Sequence, residues 1–167
     1  MKNIFILITL FYLSFQQNKK FVLISNDIKN NEIIDKKFTP FGEDLIPSFS
    51  WKNAPKNTKS FAFTVEDPDA PVGNWYHLIL INIDKSVSEI KQNTYIGKSI
   101  KNSWGNNKYK GPQPPSGTHH YHFIIYALDV EKIEAKNKND FEKNIKNHII
   151  DKAEIVGLFS KQNSNEL

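Results

Sequence analysis

Two residue types with strong chemical roles are missing from this chain of 167 residues, which contains no cysteine and no arginine. Without cysteine the chain can form no disulfide, offers no thiolate nucleophile and lacks the lipid-accepting cysteine of a lipoprotein. Without arginine it lacks the side chain that is favoured for bidentate contacts to phosphate groups and to guanine. Its net charge of +4 is carried by scattered lysines, and we therefore expect no nucleic-acid partner.

A long apolar run is also absent. The longest such run, residues 4–15, contains twelve mostly apolar residues, whereas a membrane-spanning helix needs about 20. We therefore expect no stable membrane span. The length fits the hydrophobic region of a secretory signal peptide, which has about 7 to 15 residues. Residues 1–20 are predicted to be a signal peptide or an N-terminal hydrophobic extension; the other interpretations are an uncleaved anchor and a misassigned start.

The cellular location that we expect depends on residues 1–20. If the segment is cleaved, we expect the protein to be exported to the periplasm or secreted; otherwise we expect it in the cytoplasm. Residues 21–167 are predicted to form a single domain, because a chain of this length buries enough surface for one core. No internal repeat divides the sequence.

Alternation of apolar and polar residues predicts that this domain is mainly β. The predicted strands are residues 21–25, 48–51, 61–66, 75–83, 119–128 and 154–159. Counting in twos along the fourth strand places one set of side chains on a common face, namely Trp75, His77, Ile79 and Ile81. Both faces of that strand are largely apolar, so we expect it to lie inside a sheet with His77 mostly buried.

Few helices are predicted. A capping-box pattern at residues 86–89 indicates a short helical turn. A longer helix is predicted to begin at Asn139 or Asp140 and to end near Lys152. Its apolar face would be formed by Phe141, Ile145 and Ile149.

A loop stiffened by prolines follows the third predicted strand. The sequence DPDAP at residues 67–71 places Asp67 and Ala70 directly before prolines, which restricts their backbones to extended geometry. A restricted loop can hold the carboxylates of Asp67 and Asp69 in place before a ligand arrives. An ordinary turn without a ligand would use the same residues.

A second proline-rich loop runs directly into the fifth predicted strand. In GPQPPSGTHHY, residues 111–121, alternation places His119 and Tyr121 on one face and His120 on the other. Two imidazoles, those of His77 and His119, one phenol and two carboxylates could therefore meet. The pattern predicts one small polar pocket walled by the two loops and the strand that begins at Trp75.

These motifs resemble those of the phosphatidylethanolamine-binding proteins, also called Raf-kinase-inhibitor-like proteins. The matching segments are DPDAP, the tryptophan and histidine of residues 75–77, and GPQPPSGTHHY, with weaker agreement at residues 38–51 and 155–159. The resemblance covers roughly residues 21–161 and is greatest to the compact prokaryotic-type branch. It implies a mainly β fold in which a large central antiparallel sheet packs against a smaller sheet and a few peripheral helices.

The resemblance also implies the function and the residues that carry it. It implies binding of a phosphoethanolamine headgroup or another small anion, and a possible kinase or other enzyme as protein partner. The ligand-binding positions would be Asp67, Asp69, His77, Gly111, Pro112, Pro114, Pro115, His119 and Tyr121. The family usually has arginine after the second histidine, and His120 stands there in this chain.

The predicted pocket has its own chemistry. Two carboxylates near an imidazole favour its charged form, so His77 or His119 is expected to be protonated and to bind one phosphate or carboxylate group. The same carboxylates would repel a polyphosphate, which favours phosphate itself or a zwitterion such as phosphoethanolamine. We expect no cofactor and no catalysis.

A metal-assisted hydrolase is the alternative. Asp67, Asp69, His77 and His119 could also form a mixed nitrogen and oxygen metal site. However, the sequence contains no short metal-binding signature such as HExxH. It also lacks the G-x-S-x-G motif of a serine nucleophile.

Overall fold

The computed structural model describes residues 19–161, so most of the predicted signal peptide lies outside the described residues. The strands are β1 (Val22–Ile24), β2 (Glu32–Ile33), β3 (Phe49–Lys52), β4 (Ser60–Asp67), β5 (Trp75–Asp84), β6 (Glu89–Ile90), β7 (Lys98–Ser99), β8 (Thr118–Leu128) and β9 (Ile149–Ser160). The helices are α1 (Lys138–Ile145) and one 3-10 turn (Lys36–Phe38). All six predicted strands are present, and the last one begins five residues earlier than predicted.

The strands form two sheets. The large sheet has the order β2-β9-β8-β4-β5-β7, and the small sheet has the order β1-β3-β6. Neighbouring strands are antiparallel except β2 and β9, which run parallel over two residues. The prediction of a large central sheet with a smaller one packed against it is confirmed. Every residue of β4 is buried, because this strand lies between β8 and β5.

Two apolar cores cover the two faces of the large sheet. Between the sheets, Phe49 and Trp51 of β3 pack with Phe61 and Phe63 of β4 and with Phe123 of β8. On the outer face, α1 packs on β5 and β8, with the rings of Tyr76 and Tyr126 both against Phe141. The domain is therefore a three-layer stack, and the strands that carry the motifs are in the middle layer.

Two β-bulges break the alternation of β5. Val65 pairs with Leu78 and Glu66 with Tyr76, so His77 is an extra residue on the β5 side. The second bulge contains Asn82, which has a φ of 56°. A bulged residue leaves the regular register, so the side chains around it no longer alternate.

The predicted common face of β5 is therefore wrong. Ile79 and Ile81 lie under α1, in the outer core. His77 instead contacts Tyr121, whose ring belongs to the core between the sheets, and Leu78 lies in that same core. The bulge is what places the imidazole on the same side of the sheet as the side chains of β8 that carry the second motif.

The helix predictions need correction at two places. Residues 86–89 form a turn and the start of β6, because Glu89 pairs with Ser50 of the small sheet. The longer helix is capped by Asn137, whose side chain accepts the amide protons of Asn139 and Asp140, and it ends at Ile145.

Ile149 does not extend the apolar face of that helix. It starts β9 and pairs with Leu128, because strand pairing competes successfully for a β-branched residue near the end of a short helix. Phe141 and Ile145 are buried as predicted. Within residues 19–161, no helix is long and apolar enough to cross a membrane.

Candidate ligand-binding site

A buried pair of Asp67 and His119 is the centre of the site. Asp67 ends β4, His119 is the second residue of β8, and His119 Nδ1 lies 2.7 Å from Asp67 Oδ2. The other carboxylate oxygen, Oδ1, accepts the amide proton of Asp69 at 3.0 Å. Because an ionised carboxylate can only accept, His119 donates from Nδ1. Its Nε2 atom makes no hydrogen bond among the described residues, and His119 lies behind the cavity, outside the residues that line it.

His77 is held in the neutral form. Its Nδ1 donates to the carbonyl oxygen of Lys110 at 2.5 Å. Burial lowers the pKa of His77 to about 4, and this effect outweighs the carbonyl hydrogen bond and the negative charge of Asp67, which both raise the pKa. At neutral pH its Nε2 therefore carries a lone pair and accepts a hydrogen bond. The expectation that nearby carboxylates would keep this imidazole protonated is wrong for His77.

Tyr121 connects the two imidazoles. Its ring centroid lies 5.2 Å from that of His77 and 6.3 Å from that of His119. The hydroxyl oxygen is buried and has no hydrogen-bond partner among the described residues. Burial, followed by the nearby charge of Asp67, raises the pKa of this phenol well above its usual value. The hydroxyl is therefore a neutral donor without an acceptor.

The cavity beside these groups has largely apolar walls. It has a volume of about 200 Å³. It is lined by Asp67, Ala70, Pro71, Val72, Trp75, His77, Trp104, Gln113 and Pro115. The ring of Trp104 contacts the rings of Trp75 and His77, with centroids 5.3 Å and 4.8 Å apart. A cavity lies where the pocket was predicted, but of the nine predicted binding residues only Asp67, His77 and Pro115 line it. Its other walls are largely apolar where a polar pocket was expected.

The second proline-rich loop is fixed by a close backbone contact at Gly111. A Cβ atom at this position would overlap the carbonyl oxygen of Phe38, so only glycine fits. The amide of Gly111 donates to Asp44 Oδ1 at 2.8 Å. Pro115 lines the cavity, whereas Gly111, Pro112 and Pro114 are buried parts of the loop that do not line it. These three residues therefore set the shape of the loop.

Residues 24–160 match the sequence model of the phosphatidylethanolamine-binding proteins. The chain belongs to this family. The UPF0098 protein of Pyrococcus horikoshii is 35% identical over 159 residues, which cover 87% of this chain and 80% of the relative. YbhB of Escherichia coli is 31% identical over 156 residues, which cover 83% of this chain and 99% of the relative.

Solved structures of the phosphatidylethanolamine-binding protein family have the same fold. The crystal structure of YbcL of Escherichia coli, described as a member of the mammalian family, has a TM-score of 0.80 and 30% sequence identity. The match covers 85% of this chain and 99% of that chain. The family and the fold class inferred from the sequence motifs are both confirmed.

Asp69 has a different place from the one predicted for it from the phosphatidylethanolamine-binding proteins. Its Oδ2 accepts both the amide proton and the ring Nδ1–H of His120, at 2.8 Å and 2.7 Å. The hydrogen bond from the His120 side chain lowers the pKa of this carboxyl group, and the one from its amide lowers it further. Both side chains are largely exposed. Asp69 therefore ties the DPDAP loop to β8 at the rim, outside the cavity lining.

Three residues outside the predicted ligand-binding set contribute to the site. Trp104 lies in the loop before the second motif, and it forms one of the walls of the cavity. Asp44 anchors the second loop, and it lies in the weakly matching segment 38–51, for which no role was predicted. Lys110 precedes the second motif directly, and its Nζ lies 5.0 Å from the centroid of the Trp104 ring. In the sequence, the position of Lys110 directly before GPQPP was the only indication that it lies near the site.

The arrangement gives no support to the metal-site alternative within the phosphatidylethanolamine-binding protein fold. Among residues 19–161, no group of three or more histidine, aspartate or glutamate side chains is placed to hold a metal ion. The Nδ1 atoms of His77 and His119 are already used by Lys110 and Asp67. Beside the cavity the structure groups one neutral phenol and two imidazoles, and of these His77 lines the cavity.

Proposed function

We propose that this protein binds a small ligand with one phosphate group, such as phosphate or a phosphoethanolamine headgroup, in the cavity beside Asp67. The observation that carries the proposal is the Tyr121 hydroxyl, which is buried without a hydrogen-bond partner among the described residues. Leaving such a group unsatisfied costs about 1 to 3 kcal/mol. Tyr121 does not itself line the cavity, but its ring contacts His77, which does, and a ligand oxygen that reached the hydroxyl past His77 would remove the cost.

The two imidazoles complement that donor. Neutral His77 can accept a hydrogen bond at Nε2, which suits the P–OH of a monoprotonated phosphate group. His119 is held by Asp67, and its Nε2 makes no hydrogen bond among the described residues. A phosphate group that both accepts and donates hydrogen bonds matches this mixed set better than a fully ionised polyphosphate does.

We propose that the protein binds its ligand without catalysing a reaction. A metal-assisted hydrolase has no specific observation in its favour, since the described histidines and carboxylates are engaged in pairs. Regulation of a kinase or another enzyme stays a prediction based on the family resemblance. Export also stays a prediction, because it depends on residues that precede the described part of the chain.

The test is calorimetric titration of the purified protein with inorganic phosphate and with phosphoethanolamine at neutral pH. Tyr121→Phe should weaken binding of whichever probe binds by about tenfold or more, the cost of a lost hydrogen bond to a charged group. The same substitution removes no hydrogen bond of ordinary length and angle within the protein, although the hydroxyl lies near Asp67 and the Gln113 backbone. The free energy of unfolding should therefore stay the same or increase.

The matched control is Tyr126→Phe. Tyr126 lies on the same strand but contacts Phe141 on the outer face, and its hydroxyl donates to Glu66 at 3.1 Å. This variant should lose stability and keep its affinity for the probe. Equal affinities of wild type and Tyr121→Phe would refute the role of the hydroxyl, and a wild type that binds neither probe at millimolar concentration would refute the function.

A further inference from the structure

The residues that line the cavity supply no fixed positive charge for an anion. Asp67 is the one charged side chain among them, and it is negative. His77 is neutral at physiological pH because burial lowers its pKa to about 4. A negatively charged ligand in this cavity therefore needs a cation from outside the lining.

Lys110 is placed to supply it. Its backbone is fixed by two hydrogen bonds with His77, one from the imidazole Nδ1 to the Lys110 carbonyl at 2.5 Å and one from the Lys110 amide to the His77 carbonyl at 3.4 Å. Its ammonium group lies over the ring of Trp104, 5.0 Å from the centroid. Trp104 is a wall of the cavity. The charge of Lys110 also acts on His77, a second lining residue, so the cation lies close to the cavity although it does not line it.

The positive charge of Lys110 is not neutralised by an ion pair among the described residues. The positive charge of Lys110 acts on the carboxyl group of Asp44 and lowers its pKa. That carboxylate accepts the amide proton of Gly111. Burial is the larger effect on Asp44 and raises its pKa. The ammonium group is therefore available to a ligand.

We propose that Lys110 and Trp104 are specificity-determining residues, which select an anionic phosphate ester with an apolar or aromatic substituent over a zwitterionic one. The inference rests on the proposed function and names its ligand class. An ammonium group on the ligand would be repelled by Lys110, and both oxygens of Asp67 are already engaged by Asp69 and His119. The walls of tryptophan, proline, alanine and valine favour an apolar substituent.

The experiment compares phenyl phosphate with phosphoethanolamine as probes in calorimetric titrations at two salt concentrations. Wild type should bind phenyl phosphate about fivefold more tightly, a gain within the range of one aromatic contact. Lys110→Met should weaken phenyl phosphate by about fivefold, as expected of one partly exposed ion pair, and should reduce the salt dependence. Lys110→Arg keeps the charge and should keep most of the affinity.

The matched control is Lys108→Met, an exposed lysine two residues earlier in the same loop, which should leave both affinities unchanged. If wild type binds both probes equally, or Lys110→Met binds phenyl phosphate like wild type, this inference is overturned while the proposed function stands. If wild type binds neither probe but binds inorganic phosphate, the inference alone fails; if it binds none of the three, the proposed function fails as well. Thermal unfolding of each variant establishes that a lost affinity is not lost folding.

Discussion

The neutral state of His77 has a measurable consequence for stability. In the folded protein burial lowers its pKa to about 4, whereas the ordinary value is 6.5. Between these values the unfolded chain takes up a proton at this position and the folded chain does not. Acid therefore favours the unfolded state, and the contribution of His77 to stability falls as the pH drops below 6.5.

The size of the effect follows from the two pKa values. One pKa unit corresponds to about 1.4 kcal/mol, so a difference of 6.5 minus 4 limits the effect to about 3 kcal/mol, most of which is reached at pH 4. At pH 5 the loss is about 2 kcal/mol by the same relation. A domain of ordinary stability would lose a large fraction of its free energy of unfolding.

The assay is urea denaturation of wild type and His77→Asn between about pH 8 and pH 4. Asparagine keeps an N–H near the position of Nδ1, which can donate to the Lys110 carbonyl, and it cannot titrate. Other titrating groups, including the histidines paired with carboxylates, contribute equally to both proteins. The difference in free energy between them should therefore shrink by about 3 kcal/mol from pH 8 to pH 4. A difference that does not change with pH would refute the assignment of a neutral, buried imidazole.

Three further outcomes are expected. Gly111→Ala should lower the free energy of unfolding by about 2 kcal/mol or more, because its Cβ overlaps the Phe38 carbonyl oxygen; unchanged urea midpoints would contradict the close contact. Asp69→Asn should cost less than about 1 kcal/mol because its pair with His120 is exposed, yet it should speed hydrogen exchange in residues 67–74. Since the pKa of Asp69 is lowered, that small contribution should disappear as the pH falls through it. Elemental analysis of the purified protein should find less than one transition metal per chain, and a stoichiometric metal would revive the hydrolase alternative.

The strands were predictable because local alternation decides them. Residues 61–66 and 119–128 alternate between the two sides of the large sheet as counted, and both strands are in the middle layer. The helix prediction failed where local and distant forces compete. Ile149 has the spacing of a helical face, but it pairs with Leu128 on the neighbouring strand and therefore belongs to β9. Sequence spacing carries no information about a partner that lies twenty residues away.

The site was predictable in its members and less so in its chemistry. The motifs identified Asp67, His77, His119 and Tyr121, and the structure brings these four together. They did not indicate that His77 would be an extra residue of a bulge. A bulge depends on how two strands pair, and the sequence of one strand alone does not specify that register.

What the sequence determined by itself is the family, the order of the strands along the chain and the stiffness of the two loops, since all of these depend on residues that are neighbours in the chain. The tertiary structure alone decided the charge state of His77, the pairing of Asp69 with His120, and the approach of Lys110 to the Trp104 wall. The first depends on burial and the second on a distance between segments that are far apart in sequence. The third depends on the path of one loop, which its hydrogen bonds to Tyr76 and His77 of β5 fix. Desolvation and charge interactions depend on such distances, and the order of residues does not specify them until the sheets have packed.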